Sequence, residues 1–296
     1  MCIRDRNVTF ENEHVKIQVN GRGGQIGLVQ LKEHLAFDSL KGVDAQPLYL
    51  VKDGNSQFNL SFKDINGKTI NTKELIFSPK QEQKGSTKVL TMTAQIGAGQ
   101  LHYIYSFDDK YGLDFQIRSQ GLHRVTHDKN IALNWNLDAF SLEKGKDQEH
   151  YWSHTYFKLS GKNSVEYELF GADKWEEKES IDWIAFKQQF FASILSFDGG
   201  LKNTNGGSIN YEIGKSKYNK GFNFSAPIEI KSGEINQHLS WDFVPLDFNN
   251  LKKYNDKGFE KIVSYGWGFL GWLNKYFFLF IFQSCLLYTS PSPRDA

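Results

Sequence analysis

From Asn7 to about Pro245 the chain alternates apolar and polar residues with a period of two. Val15, Ile17 and Val19 alternate with Lys16 and Gln18, and Phe58, Leu60 and Phe62 with Asn59 and Ser61. Leu101, Tyr103, Tyr105 and Phe107 share one face, as do Leu113, Phe115 and Ile117, and then Ile131, Leu133, Trp135 and Leu137. Successive side chains of a strand point to opposite faces, so this pattern predicts strands with one buried and one wet face. Turn signals separate the runs: Asp53-Gly54-Asn55, Asn66-Gly67-Lys68, Asp108 to Gly112, and Ser232-Gly233-Glu234. Asn-Gly and Asp-Gly reach positive φ at little cost and suit hairpins. Connections this short exclude helical crossovers, so the pairing is expected to be antiparallel, in a sandwich or barrel.

Two stretches depart from the alternation. Trp183 to Leu195 is long and mostly apolar; it reads as a central strand buried on both faces, with a helix as the alternative. The run Lys174 to Ser180 is charged and reads as a solvated loop. After Pro245 the period becomes helical. Asn249 or Asn250 is a plausible N-cap, and Leu251, Tyr254, Phe259, Ile262 and Val263 sit near one face. Gly258 weakens this helix internally and Gly266 suits its C-terminal end, giving an amphipathic helix over 249–264.

The next segment, 265–283, is rich in Trp, Tyr and Phe beside Lys275, and Tyr276 to Phe282 is continuously apolar. Aromatics and Lys at the edge of an apolar run resemble a membrane-interface belt. The run falls short of the ~20 residues that span a bilayer. It is therefore read as an interfacial helix or the start of a spanning one, with Trp267, Trp272, Lys275, Tyr276, Phe277 and Phe278 as the membrane anchor. A buried C-terminal helix of a soluble domain is the competing reading.

Charge narrows the partners. Lys+Arg is 35 and Asp+Glu 34, which gives no electrostatic reason to expect nucleic acid. The two cysteines, Cys2 and Cys285, leave the body without a thiol for a disulfide, a metal site or a nucleophile. Met1 to Arg6 has no apolar stretch long enough for a signal peptide. Residues 1–6 and 284–296 resemble translated adapter sequence and are read as a non-native leader and tail, against a divergent natural start and end.

Candidate chemistry is sparse. His150 and His154, and likewise His123 and His127, have a spacing that could hold zinc on a helix. Their surroundings look like strand or loop, so surface histidines are expected, and no metal or cofactor is assigned. Gly21-Arg22-Gly23-Gly24 reads as a turn between strands, because no Gly-Lys-Ser/Thr or helix start follows it. Acidic residues are too evenly spread to single out a catalytic pair.

Three stretches resemble one family in its own order. Phe10 to Ile17 followed by Gly23 to Lys32 is similar to the opening strands of the periplasmic domain of YidC-type membrane protein insertases. Asp182 to Phe191 is similar to that domain's Trp-Ile-Ala-x-x-Gln-Gln-Phe-Phe strand. Leu251 to Gly268, then Trp272 to Lys275, resembles its linking helix and the Gly-Trp-Gly entry to the membrane core.

The resemblance implies a mainly β, antiparallel β-supersandwich like that of sugar mutarotases, followed by C-terminal helices, the last membrane-associated. It implies a periplasmic β-domain over 7–248, a linking helix over 249–264 and an interfacial or transmembrane start over 265–283, in a protein of the bacterial inner membrane. The implied partners are the lipid bilayer, nascent membrane proteins and components of the Sec translocon. The implied work is insertion of membrane proteins, with no covalent catalysis. The family's groove arginine lies beyond the credible sequence, so no insertase groove residue is named. Two alternatives stand beside this reading: a mutarotase-like aldose epimerase, which needs a His acid and a Glu base meeting over a sugar ring, and a carbohydrate- or peptide-binding module.

Overall fold

The computed structural model describes residues 7–38, 43–107, 111–167, 174–247, 251, 254 and 256–263. The chain divides into two compact units, Met1–Asp247 and Phe248–Ala296. Alternation in the first unit becomes three antiparallel sheets. Strands β1 (Val8–Glu11), β2 (Val15–Val19), β3 (Ile26–Asp38) and β4 (Val43–Val51) form a four-stranded sheet in that order. A six-stranded sheet contains β5 (Ser56–Lys63), β6 (Thr69–Asn71), β11 (Asn130–Phe140), β14 (Lys174–Glu177), β17 (Thr204–Asn210) and β18 (Tyr218–Glu229), in the order β14-β17-β18-β11-β5-β6.

The third sheet has nine strands. They are β7 (Ser78–Lys84), β8 (Thr87–Ile96), β9 (Gly99–Phe107), β10 (Gly112–Gln120), β12 (His154–Leu159), β13 (Val165–Tyr167), β15 (Ile181–Lys187), β16 (Phe191–Leu201) and β19 (Asn236–Pro245). Their spatial order is β13-β12-β15-β16-β19-β10-β9-β8-β7. A short helix, α1 (Lys146–Tyr151), sits in the connection from β11 to β12.

Rings join the two large sheets. Trp135 on β11 has Phe58 of β5 and Phe224 of β18 as its cross-strand partners. Across the sandwich its ring stacks on Phe186 of β15 at 4.0 Å and meets Trp241 of β19 edge-on at 4.9 Å. Phe58 in turn meets Tyr103, Phe115 and Trp241 edge-to-face. All of these rings are buried. Offset and edge-to-face pairs add about 0.5–1.5 kcal/mol each beyond their buried area. The alternation expected for Val15–Val19, Leu101–Phe107, Leu113–Ile117 and Ile131–Leu137 is the alternation observed, with the apolar members in the core.

The four-stranded sheet adds to this core from one side. Phe10 meets Phe107 at 5.3 Å, and the buried Tyr105 hydroxyl donates to the Gly24 carbonyl at 2.8 Å. The Gly23-Gly24 pair makes the turn from β2 to β3, with φ of 77° and 61°. A Cβ on Gly24 would lie 2.9 Å from the Phe77 ring, so both conformation and space require glycine there.

Two expectations are corrected. Trp183–Leu195 is neither one strand nor a helix: β15 and β16 pair across the turn Gln188–Phe190, with the Gln188 N–H donating to the Phe191 carbonyl at 2.8 Å. Pairing with β17 turns Lys174–Glu177 into an edge strand instead of a loop; Trp175 anchors it by stacking on Phe157 at 5.1 Å. The helix expected over 249–264 falls partly outside the described residues; within it Gly258 takes φ 73° and a 3-10 turn follows at Phe259–Ile262. Leu251, Phe259 and Ile262 are buried there. No helix among the described residues is long and apolar enough to cross a membrane.

Candidate functional site

The chemistry of the first unit gathers where α1 meets the ends of β11, β15 and β18. Phe140 ends β11, and the chain then turns into α1, which points Glu149 inward. That carboxylate is 1 % exposed and accepts from the Ser141 hydroxyl at 3.0 Å and the Leu142 N–H at 2.9 Å. Burial nonetheless dominates and pushes its carboxyl up to about 7. The Ser153 hydroxyl donates to the Glu149 carbonyl at 2.7 Å and accepts from the Asn219 amide at 2.9 Å. Asn219 also meets His150 Nδ1 through Oδ1 at 3.1 Å.

Two buried ammonium groups reach this connection. Lys187 donates to the Trp152 carbonyl and Lys220 to the Ser153 carbonyl, both at 2.9 Å. Desolvation lowers the Lys187 ammonium to about 8. His154, the register partner of Lys187, opens β12 and is 6 % exposed. Desolvation, reinforced by Lys220, pushes its imidazole down to about 4, so it is neutral at pH 7. Perturbed groups of this kind collect at functional sites, although buried structural networks produce them too.

A cleft of about 740 Å³ opens beside the corner. The ends of β3 and β4, the Phe140–Lys146 connection and the loop before β18 form its walls. Four lysines line it, Lys52, Lys146, Lys215 and Lys217, against one carboxylate, Asp53. Lys52 lies over the Tyr49 ring at 4.4 Å, and Lys217 over Tyr218 at 4.9 Å and Phe140 at 5.8 Å. Lys215 pairs with Glu212.

A second, smaller cleft of about 570 Å³ lies on the four-stranded sheet beside His14. His14 Nδ1 approaches Glu33 at 3.1 Å, and the Tyr111 hydroxyl donates to the same carboxylate at 2.7 Å. The Tyr111 bond holds the Glu33 carboxyl below its ordinary range. Histidine and carboxylate thus lie within ion-pair distance of one another at this cleft. Among the described residues no three His, Cys, Asp or Glu side chains form a metal-binding group.

Sequence reasoning located little of this. His123 and His127 are exposed, as expected, and His123 meets Glu234 at 3.4 Å. His150 is half-buried, and His154 is buried because β12 runs inside the nine-stranded sheet, between β13 and β15. Glu149, Lys187 and Lys220 were not singled out. The one available signal was Lys187-Gln188 interrupting an apolar run. Gln188 is buried and donates to the Phe140 carbonyl at 2.7 Å. The anchor residues Trp267, Trp272, Lys275, Tyr276, Phe277 and Phe278 lie outside the described residues, as do Cys2 and Cys285.

Comparison with known proteins decides the family. The model of the YidC periplasmic domain matches residues 7–280. The chain belongs to the YidC periplasmic domain family. A membrane protein insertase YidC from Parabacteroides distasonis is 26 % identical over 286 residues, covering 93 % of this chain and 44 % of the relative. A second, from Phocaeicola vulgatus, is 28 % identical over 288 residues with the same shares. The chain thus spans less than half the length of these curated relatives. Among solved structures, a galactose mutarotase related enzyme from Lactobacillus acidophilus is similar over 80 % of this chain and 97 % of its own, at 10 % identity and a TM-score of 0.45. No activity is transferred from that likeness. For this YidC-family domain the α1 corner and the lysine cleft are the chemically distinctive places.

Proposed function

We propose that this chain is the periplasmic domain of an inner-membrane insertase, carried on a longer protein that helps nascent membrane proteins enter the bilayer, alone or beside the Sec translocon. The observation that carries the reading is the extent of the family match. It begins in β1 and runs to residue 280, through the sandwich and into the aromatic stretch. In this reading Trp267, Trp272, Lys275, Tyr276, Phe277 and Phe278 hold the chain at the membrane interface, where amphipathic rings and Lys are favoured. The work is physical. A polar segment crossing hydrocarbon leaves backbone and side-chain groups without partners, at several kcal/mol each. An insertase lowers that cost, and its folded periplasmic domain stands beside the path. The reading therefore assigns this chain no covalent chemistry.

A chimera tests this. Residues 7–280 replace the matched segment of the Parabacteroides distasonis insertase in cells depleted of their own insertase. The expected result is that membrane proteins gain protease protection to the level given by the intact relative. A chimera present in the membrane at normal amount that inserts nothing contradicts the proposal.

A further inference from the structure

The lysine cleft is a site the insertase reading does not use. Three of its four ammonium groups, those of Lys52, Lys146 and Lys217, come from separate elements and line one space. No carboxylate pairs with any of them among the described residues. Lys52 and Lys217 rest instead on the faces of Tyr49, Tyr218 and Phe140. A ring face holds an ammonium in place without neutralising it, so its N–H donors stay available to an anion. The whole chain carries a net charge of only +1, so this positive concentration is local. The volume falls within the range of small-ligand sites, and lysine is a common point-charge partner of phosphate.

The cleft also has a defined place. The Phe140 carbonyl on its wall accepts from Gln188, and two residues on, the Phe190 carbonyl accepts from the Leu246 N–H at 2.8 Å. The cleft is therefore at the end of the sandwich where β19 finishes, and β19 is the last strand before 265–283 in the sequence. We propose that it seats the phosphate of an anionic phospholipid headgroup. The proposal rests on the reading that 265–283 lies at a bilayer.

Flotation of the full chain with vesicles tests it. Adding about 30 % phosphatidylglycerol to phosphatidylcholine is expected to raise partitioning on the order of tenfold or more, given about fivefold per lysine near an anionic surface. The triple variant Lys52→Gln/Lys146→Gln/Lys217→Gln is expected to lose that gain while keeping its melting temperature and its binding to neutral vesicles. The triple Lys→Arg variant is expected to keep the gain. An equal gain in the Gln variant overturns the proposal. Saturable binding of inorganic phosphate that the Gln variant abolishes, with no gain on anionic vesicles, also overturns it, because the ligand is then soluble phosphate. Failure of both proteins to bind neutral vesicles counts against the membrane segment itself and is read separately from the anionic gain.

Discussion

Trp135→Ala lowers the unfolding free energy of the sandwich by about 3–5 kcal/mol, the cost of removing a large buried ring and leaving a cavity. Few positions concentrate so many contacts. The indole is flanked within its sheet by Phe58 and Phe224 and gripped across the sandwich by Phe186 and Trp241. Its Nε1–H donates to the Ser56 hydroxyl at 3.3 Å. Neighbouring rings cannot close the gap, because Phe58 is fixed by three edge contacts of its own. Urea denaturation followed by circular dichroism measures the loss as a midpoint lowered by roughly 1–2 M. Ile65→Ala, at an exposed turn residue, provides the comparison and is expected to change stability by less than about 0.5 kcal/mol. A loss below about 1 kcal/mol for Trp135→Ala would mean that the two sheets are not joined through this ring.

Glu149 makes the stability of the domain depend on pH. Its carboxyl titrates near 7 when folded and near 4.5 when unfolded. Below pH 4.5 both states are protonated and the buried group carries no penalty. Between pH 4.5 and 7 the unfolded chain releases the proton and the folded one keeps it, so stability falls as pH rises. The full loss, reached above pH 7, is about 3 kcal/mol at about 1.4 kcal/mol per pH unit. His154 opposes this. Its folded value near 4 lies below its ordinary 6.5, so its contribution is lost as pH falls from 6.5 to 4. The two slopes offset each other in the native protein. Glu149→Gln cannot ionise; its amide oxygen keeps the bond from the Leu142 N–H, and its NH2 faces the Ser141 hydroxyl, which can turn to accept. The variant is expected to gain on the native protein by about 3 kcal/mol between pH 4.5 and pH 8, and to expose the rising slope of His154 between pH 4 and 6.5. Denaturation curves across that range measure both, and a difference independent of pH would show that Glu149 is solvated in the folded state.

The sandwich was largely legible from period and turns, because one buried face forces every second residue of Val15–Val19 or Leu101–Phe107 to be apolar whatever the strand order. What escaped depends on partners distant in sequence. Lys174–Glu177 has the composition of a loop and becomes a strand only because β17 offers it an edge. Trp183–Leu195 gives no period to read, since both faces of β15 are covered, and its turn is made by Gln188–Phe190 without Gly or Pro. The α1 corner escaped for a related reason. Burial of Glu149, His154, Lys187 and Lys220 is set by four elements, α1, β12, β15 and β18, that converge from about 70 residues of chain. The sequence pattern offered only their identities.

The central claim is that this β-domain lies outside the inner membrane on an insertase. It is tested most directly by labelling Lys68→Cys, at the exposed β5–β6 hairpin, in an otherwise cysteine-free version of the chimera. A maleimide that cannot cross the inner membrane is added to cells whose outer membrane has been permeabilised. The account predicts full labelling with the protein recovered in the membrane fraction. Labelling that appears only after the inner membrane is broken would place the domain on the other side and contradict it.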